Sequence, residues 1–419
     1  MKRVVGGILL AAVLLPAAAR AEPVPGSAAA TDAVLGLAAD GTPRVAFASG
    51  GRLLVGARGP DGEWTAERAA ALPGPELIVD RAAGAFVLVQ DANGGWLALE
   101  ERAAAGWRAH LLVRSVPRGA SLGLAGLTLD AHARPVVAYA LRLADGKTFL
   151  RLVRPDARGR FVTRAVTKAG FPQSDTVPSA SPVVLPGGGI RVVATGARSA
   201  IEWAPKGRTW EGQVLYANSL GTPAGPVGAA GPYSAWTELF PQFGQSQVLL
   251  TLHADGERTA VLHRHAFVVA LALGPTGPEV AANDYVELGD VAYAGLVVDA
   301  AGITLELGGK LVGYAIEPGG ARQFLLRAAG GLEWYRTSSL PPVRVELQAT
   351  SAMLTGSVRG ASGGSVELYR GDELLETVPL GTDGSFSAAA SDTGAVLYRA
   401  VYRDVLSGLP LGALVRFDG

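Results

Sequence analysis

His263-Arg-His265 is the one ligand-like pair in this chain. Alternate residues of a strand face the same way, so both imidazoles can reach one metal ion. A catalytic zinc site needs a third protein ligand. The nearest candidate, His253, lies across the Asp255-Gly256 hairpin and falls on the opposite face. The pair therefore also reads as polar residues near a strand end, and no metal site is expected. Tyr233, Trp236, Phe240 and Phe243 gather in a Pro/Gly-bounded stretch. Such aromatics make either a carbohydrate or peptide platform or a loop packed onto its neighbour. Glu100-Glu101 and Asp372-Glu373 are paired carboxylates, the material of acid–base catalysis, but strand neighbours point to opposite faces and solvated charge is expected. Calcium loops, phosphate loops and Gly-x-Ser-x-Gly elbows do not occur. The chain has no cysteine, which removes thiol nucleophiles, redox dithiols and Cys-ligated metals. No cofactor is expected, and no spacing nominates a Ser/His/Asp triad.

The elements that must position these residues are strands. A pattern beginning with an apolar run to Asp40-Gly-Thr-Pro43, then Val45-Ala-Phe-Ala48, Arg52-Leu-Leu-Val55 and Trp64, returns about six times. An Asp-Gly turn between apolar runs is the strongest short hairpin signal. An aromatic residue opens the fourth strand of most copies: Trp64, Trp107, Phe161, Trp210 and Trp334. Such rings are expected to pack between neighbouring sheets. Helical periodicity is missing after the first residues. Four-stranded units of roughly 50 residues over 32–340 fit an all-β propeller, six-bladed or possibly seven-bladed. Residues 22–31 read as a linker too small and polar to be an obvious closing strand.

After Pro341-Pro342 the register changes, and 343–419 reads as period-two strands of a small β-sandwich. Lys2 and Arg3, the apolar run Val4 to Leu15 and Ala19-Arg-Ala21 read as a signal peptide over 1–21. The run is about a dozen residues, against roughly 20 needed to span a bilayer, and no later segment is long and apolar enough. Lys plus Arg and Asp plus Glu are both 37. That balance argues against nucleic acid and against anionic membrane as main partners.

Two resemblances follow. Asp-Gly-x-Pro before a Val-Ala-Phe strand, with Gly59-Pro-Asp-Gly-Glu-Trp64, resembles exported bacterial propeller repeats of broad function. Gly364-Ser-Val-Glu-Leu-Tyr-Arg370 with Asp383-Gly-Ser-Phe386 is similar to bacterial immunoglobulin-like accessory domains, which implies a spacer or adhesive module. No Lys follows Lys310, so the Lys–Asn crosslink of some such domains cannot form here. The sialidase turn, Ser-x-Asp-x-Gly-x-Thr-Trp, is not matched, because Asp61 and Gly62 are adjacent.

The expectation is a secreted, periplasmic or cell-surface monomer that binds or scaffolds without catalysis. Its partner would be an extracellular protein or carbohydrate. The rival expectation is a secreted glycan-active hydrolase or lyase working in the propeller channel. Departures from the repeat, at 233–243, His263/His265 and 308–320, are where function is expected.

Overall fold

The computed structural model describes residues 21–69, 72, 77–168, 179–196, 199–217, 222–240, 245–252, 257–262, 266–288, 290–299, 302–361, 363–390 and 394–418. The described residues are all-β, and every strand pairing within a sheet is antiparallel. No helix among them is long and apolar enough to cross a membrane.

The repeat folds as four-stranded meanders. Sheet 1 runs through Ala30–Leu37, Pro43–Ser49, Arg52–Arg58 and Trp64–Arg68. Burial is greatest on the second strand and falls through the third to the fourth. In sheet 3 the strand Pro135–Arg142 is buried over its first six residues, whereas Phe161–Ala165 is exposed after its first. A near-continuous apolar run marks a strand covered on both faces, and the exposed fourth strand is an outer edge. The repeated aspartates serve the turns. Asp40, Asp130 and Asp156 each accept the amide two residues on, from Thr42, His132 and Arg158 at 2.9, 2.9 and 2.8 Å. This is the Asx-turn chemistry of short loops.

The sheets are arranged as in a propeller. Their first strands neighbour one another in succession: Ala30–Leu37, Leu77–Ala83, Gly126–Leu129, Ser179–Val184, Thr222–Ala230, Ala266–Gly274 and Lys310–Ile316, the last returning to the first. Glycines permit the close approach at four of these contacts. A Cβ at Gly36 would lie 2.6 Å from the Ala82 carbonyl oxygen, and one at Gly313 would lie 2.8 Å from the Leu35 amide nitrogen. Gly126 faces Ser181, and Gly228 faces Leu271, in the same way. Seven apolar layers fill the spaces between consecutive sheets. Trp64, Trp107, Phe161 and Trp210 each pack into the layer shared with the preceding sheet.

Two segments differ from their reading as loop and linker. Thr222–Ala230 (Thr-Pro-Ala-Gly-Pro-Val-Gly-Ala-Ala) and Tyr233–Phe240 are the first two strands of sheet 5. The Gly/Pro content of the first made it read as loop, which shifted the frame downstream. The segment 308–320 accordingly holds the first strand of sheet 7, and Trp334 stands on its third. The second segment is Glu22–Pro23. This short strand pairs with the edge of sheet 7, Glu22 opposite Trp334 and Pro23 opposite Glu333, so sheet 7 joins both ends of the repeat region.

Residues beyond 343 form a three-stranded sheet, Arg344–Ala349, Met353–Arg359 and Ser385–Ala389. They also form a second sheet from Ser365–Arg370, Glu373–Pro379, Val396–Arg403 and Pro410–Phe417. The second continues sheet 6 through Leu307 paired with Leu411. One apolar cluster runs from Leu354, Phe386 and Tyr398 into Leu307, Phe324 and Tyr335. The C-terminal strands therefore share a core with sheets 6 and 7.

Candidate functional site

The channel inside the first strands has two different ends. One is lined by all seven sheets, mainly with Val, Leu, Ala and Gly, and with Arg81, Thr128 and Ser181 among them. The other brings in Asp32 and Asp80 as well. Asp32 accepts the Val79 amide at 2.7 Å. Arg81 donates to its neighbour's carbonyl, Asp80 O at 2.9 Å, and across the channel to Val227 O at 3.3 Å. Arg327 donates to Ala30 O at 2.7 Å. Arg81 thus links the inner strands of sheets 2 and 5, and Arg327 links the second strand of sheet 7 to the first of sheet 1.

Asp80 is the anomaly of the channel. It is 5 % exposed, and neither carboxylate oxygen meets a donor at hydrogen-bonding geometry. Burial pushes its pKa well above the usual carboxylate range; Arg81 and the Ala125 amide oppose this, and the charge of Asp32 adds to it. Asp32 is also raised by burial, against the pull of the Val79 amide, Arg327 and Lys310. Burial in turn lowers Arg81 and Lys310. A carboxyl held neutral costs less to bury than a carboxylate. Among the described residues no three metal-capable side chains converge.

A second concavity lies on the outer flank between sheets 3 and 4. It is an open groove of about 930 Å³, within the usual range for ligand sites. Leu152, Val166 and Ile190 form its apolar floor with the half-buried rings of Trp203 and Trp210. Trp203 lies over Gly212, where a Cβ would meet the ring at 3.0 Å. Arg154, Arg164, Lys168 and Arg208 also line it, and among the described residues no carboxylate does.

The residues nominated from sequence are not brought together here. Trp236 is fully buried against Val183, Val193 and Val227, so it serves the layer between sheets 4 and 5. Tyr233 is half-buried against the next layer. Phe240 ends the same strand. Phe243, His263 and His265 lie outside the described residues. Glu100 is fully buried rather than solvated, because the central position of its strand turns one of the two carboxylates inward. Its neighbour Glu101 meets His110 Nε2 at 2.8 Å. Sequence reasoning missed Asp32, Asp80 and the Trp203/Trp210 groove.

No protein-family model and no curated protein matches the chain. Among solved structures, a catalytically inactive virginiamycin B lyase from Staphylococcus aureus with quinupristin aligns with TM-score 0.49 and 11% identity, over 76% of this chain and 98% of that one. A mitotic checkpoint complex chain gives TM-score 0.48 and 15% identity, over 80% and 99%. Oligogalacturonate lyase from Vibrio parahaemolyticus gives TM-score 0.43 and 10% identity, over 75% and 90%.

Proposed function

We propose that this protein is an exported, non-catalytic binding or scaffolding protein. In this reading the ring is a seven-bladed propeller closed by Glu22–Pro23, and 343–419 is an Ig-like sandwich docked on it. The ligand is an extracellular protein or glycan. The observation that carries the reading is the groove between sheets 3 and 4, a large open concavity with two indole rings set on a packed floor. Rigid aromatics bind at low entropic cost. The channel supports it from the other side, since Arg81 and Arg327 are engaged with backbone carbonyls.

A second reading, a glycan-active hydrolase or lyase, has one observation in its favour: the Asp32/Asp80 carboxylates in the channel, with raised pKa values. Raised carboxyls suit general acids. A glycan array and a cell-surface pull-down with the mature protein, run beside a product assay on any ligand found, separate the two. Stoichiometric binding without turnover, weakened in Trp203→Ala, is the expected result. Turnover that disappears in Asp80→Asn would replace it with the enzyme reading, and no ligand in either screen would reject binding.

A further inference from the structure

The interfaces between successive sheets carry an internal comparison. At the contact of sheets 7 and 1, the Glu22 carboxylate accepts from Arg58 Nε at 2.7 Å and from Trp64 Nε1 at 2.8 Å. At the contact of sheets 1 and 2, Glu67 accepts from Arg102 Nη2 at 3.1 Å and from Trp107 Nε1 at 3.2 Å. The same three-part clasp is therefore built twice: an outer-strand glutamate of one sheet, and an arginine and a tryptophan of the next. In both, the arginine and tryptophan are strand partners, Arg58 opposite Trp64 and Arg102 opposite Trp107.

Carried to sheets 3 and 4, the same register gives a different set. Trp210 occupies the tryptophan position, opposite Pro205 in place of arginine. Glu67 stands three residues after Trp64; three after Phe161 comes Arg164, and Val55↔Glu67 and Leu152↔Arg164 are matching pairs. The carboxylate of the clasp is thus replaced by a guanidinium, while the tryptophan remains. Trp210 makes no side-chain hydrogen bond among the described residues. Nor do Arg154, Arg164, Lys168 and Arg208 pair among the described residues, where Asp156 is matched with Arg160, Glu202 with Arg191 and Glu211 with Lys206.

We infer that the groove recognises a uronate-bearing polysaccharide, whose carboxylate takes the place that glutamate holds in the other two clasps. The ligand carboxylate accepts from Trp210 Nε1 and from Arg164, a charge-assisted contact. The sugar rings lie against the faces of Trp203 and Trp210, and the other three cations meet neighbouring carboxylates along the chain. Flat apolar faces favour a pyranose over an acidic peptide. The zero net charge of the chain disfavours nucleic acid. The inference rests on the binding reading above and specifies its ligand.

Isothermal titration of the intact mature protein with galacturonate, mannuronate and glucuronate oligomers tests it, beside a neutral galactose oligomer, poly-glutamate and single-stranded DNA. At least one uronate oligomer binds and the neutral chain does not. Trp210→Phe, which keeps a ring and deletes the N–H, weakens binding about tenfold, the loss of one charge-assisted hydrogen bond. Arg164→Glu rebuilds the internal contact seen between Glu67 and Trp107, so it abolishes binding without lowering the melting temperature. Arg164→Ala weakens binding without supplying a new internal partner. The inference is overturned if no uronate oligomer binds, if poly-glutamate or DNA binds as well as the best of them, or if Trp210→Phe and Arg164→Glu leave affinity unchanged. A neutral glycan or a protein ligand whose binding is indifferent to Arg164→Glu overturns this inference and leaves the general binding reading standing.

Discussion

Glu22 and Arg58 form a bidentate ion pair, Nε at 2.7 Å and Nη2 at 2.9 Å, that joins the outer strand of sheet 7 to sheet 1. Trp64 donates to the same carboxylate and packs edge-on against Trp334, with ring centroids 5.7 Å apart. A two-residue strand has little pairing of its own, so the side-chain clasp does much of the holding. Glu22→Ala is expected to cost about 1–2 kcal/mol, as for charge-assisted hydrogen bonds at a partly exposed site. Deleting residues 22–23 costs more, because it also uncovers Trp334 and the edge of sheet 7. Thermal unfolding of the three proteins in parallel checks the order; equal melting temperatures would show that this strand does not close the ring.

The inner glycines are a packing requirement. Gly313→Ala is expected to destabilise by about 1–3 kcal/mol, the usual cost of overpacking, because the new Cβ meets the Leu35 backbone. Gly187→Ala, in an open turn with nothing within 4 Å, is the matched control and should be near neutral. Denaturant midpoints measure both.

Sheets 6 and 7 are joined by Glu279, which accepts from Arg322 Nε at 2.9 Å and from the Tyr314 hydroxyl. The glutamate partner raises Arg322, and burial followed by the Glu279 charge raises Tyr314. Glu279→Gln strands a largely buried guanidinium and is expected to cost about 3–5 kcal/mol. Glu279→Gln combined with Arg322→Met should recover part of that loss. A double-mutant cycle in urea reads the coupling; strict additivity would deny it.

Acid and base act on this fold with opposite signs at different aspartates. Asp80 binds its proton more tightly folded than unfolded. Its contribution to stability is therefore fully present below the ordinary carboxylate pKa and declines as pH rises toward the shifted value. Asp40, Asp130 and Asp156 are lowered, the first by the Thr42 amide, the second by its bonds from Arg134 and His132 against burial, the third by the Arg160 amide. What they contribute is present above the unfolded pKa and is lost as pH falls through their folded values. Asp80→Asn should melt higher than wild type near pH 8 and converge with it near about pH 4. A constant difference across that range would mean that the side chain is not titrating.

Strands and turns were legible because they are written locally: Asp-Gly hairpins, apolar runs bounded by Gly and Pro, and the tryptophans of the fourth strands. The frame slipped where local preference and fold disagree, at Thr222–Ala230, a strand poor in β-branched residues. Its pairing with Tyr233–Phe240 and its neighbours in the ring hold it extended. Glu22–Pro23 escaped because two residues carry no periodicity, and their role lies in a partner more than 300 positions away. The groove escaped for another reason. Arg164, Pro205 and Trp210 are unremarkable singly and gain meaning only from strand register beside Glu67, Arg102 and Trp107.

Hydrogen–deuterium exchange of the intact protein, with and without saturating uronate oligomer, distinguishes a ligand in the groove from one in the channel. Protection confined to the groove segments 164–168 and 203–212 is expected. Protection instead along the inner strands Ala30–Leu37 and Leu77–Ala83, with 164–168 unchanged, would place the ligand in the channel beside Asp32 and Asp80 and contradict the account.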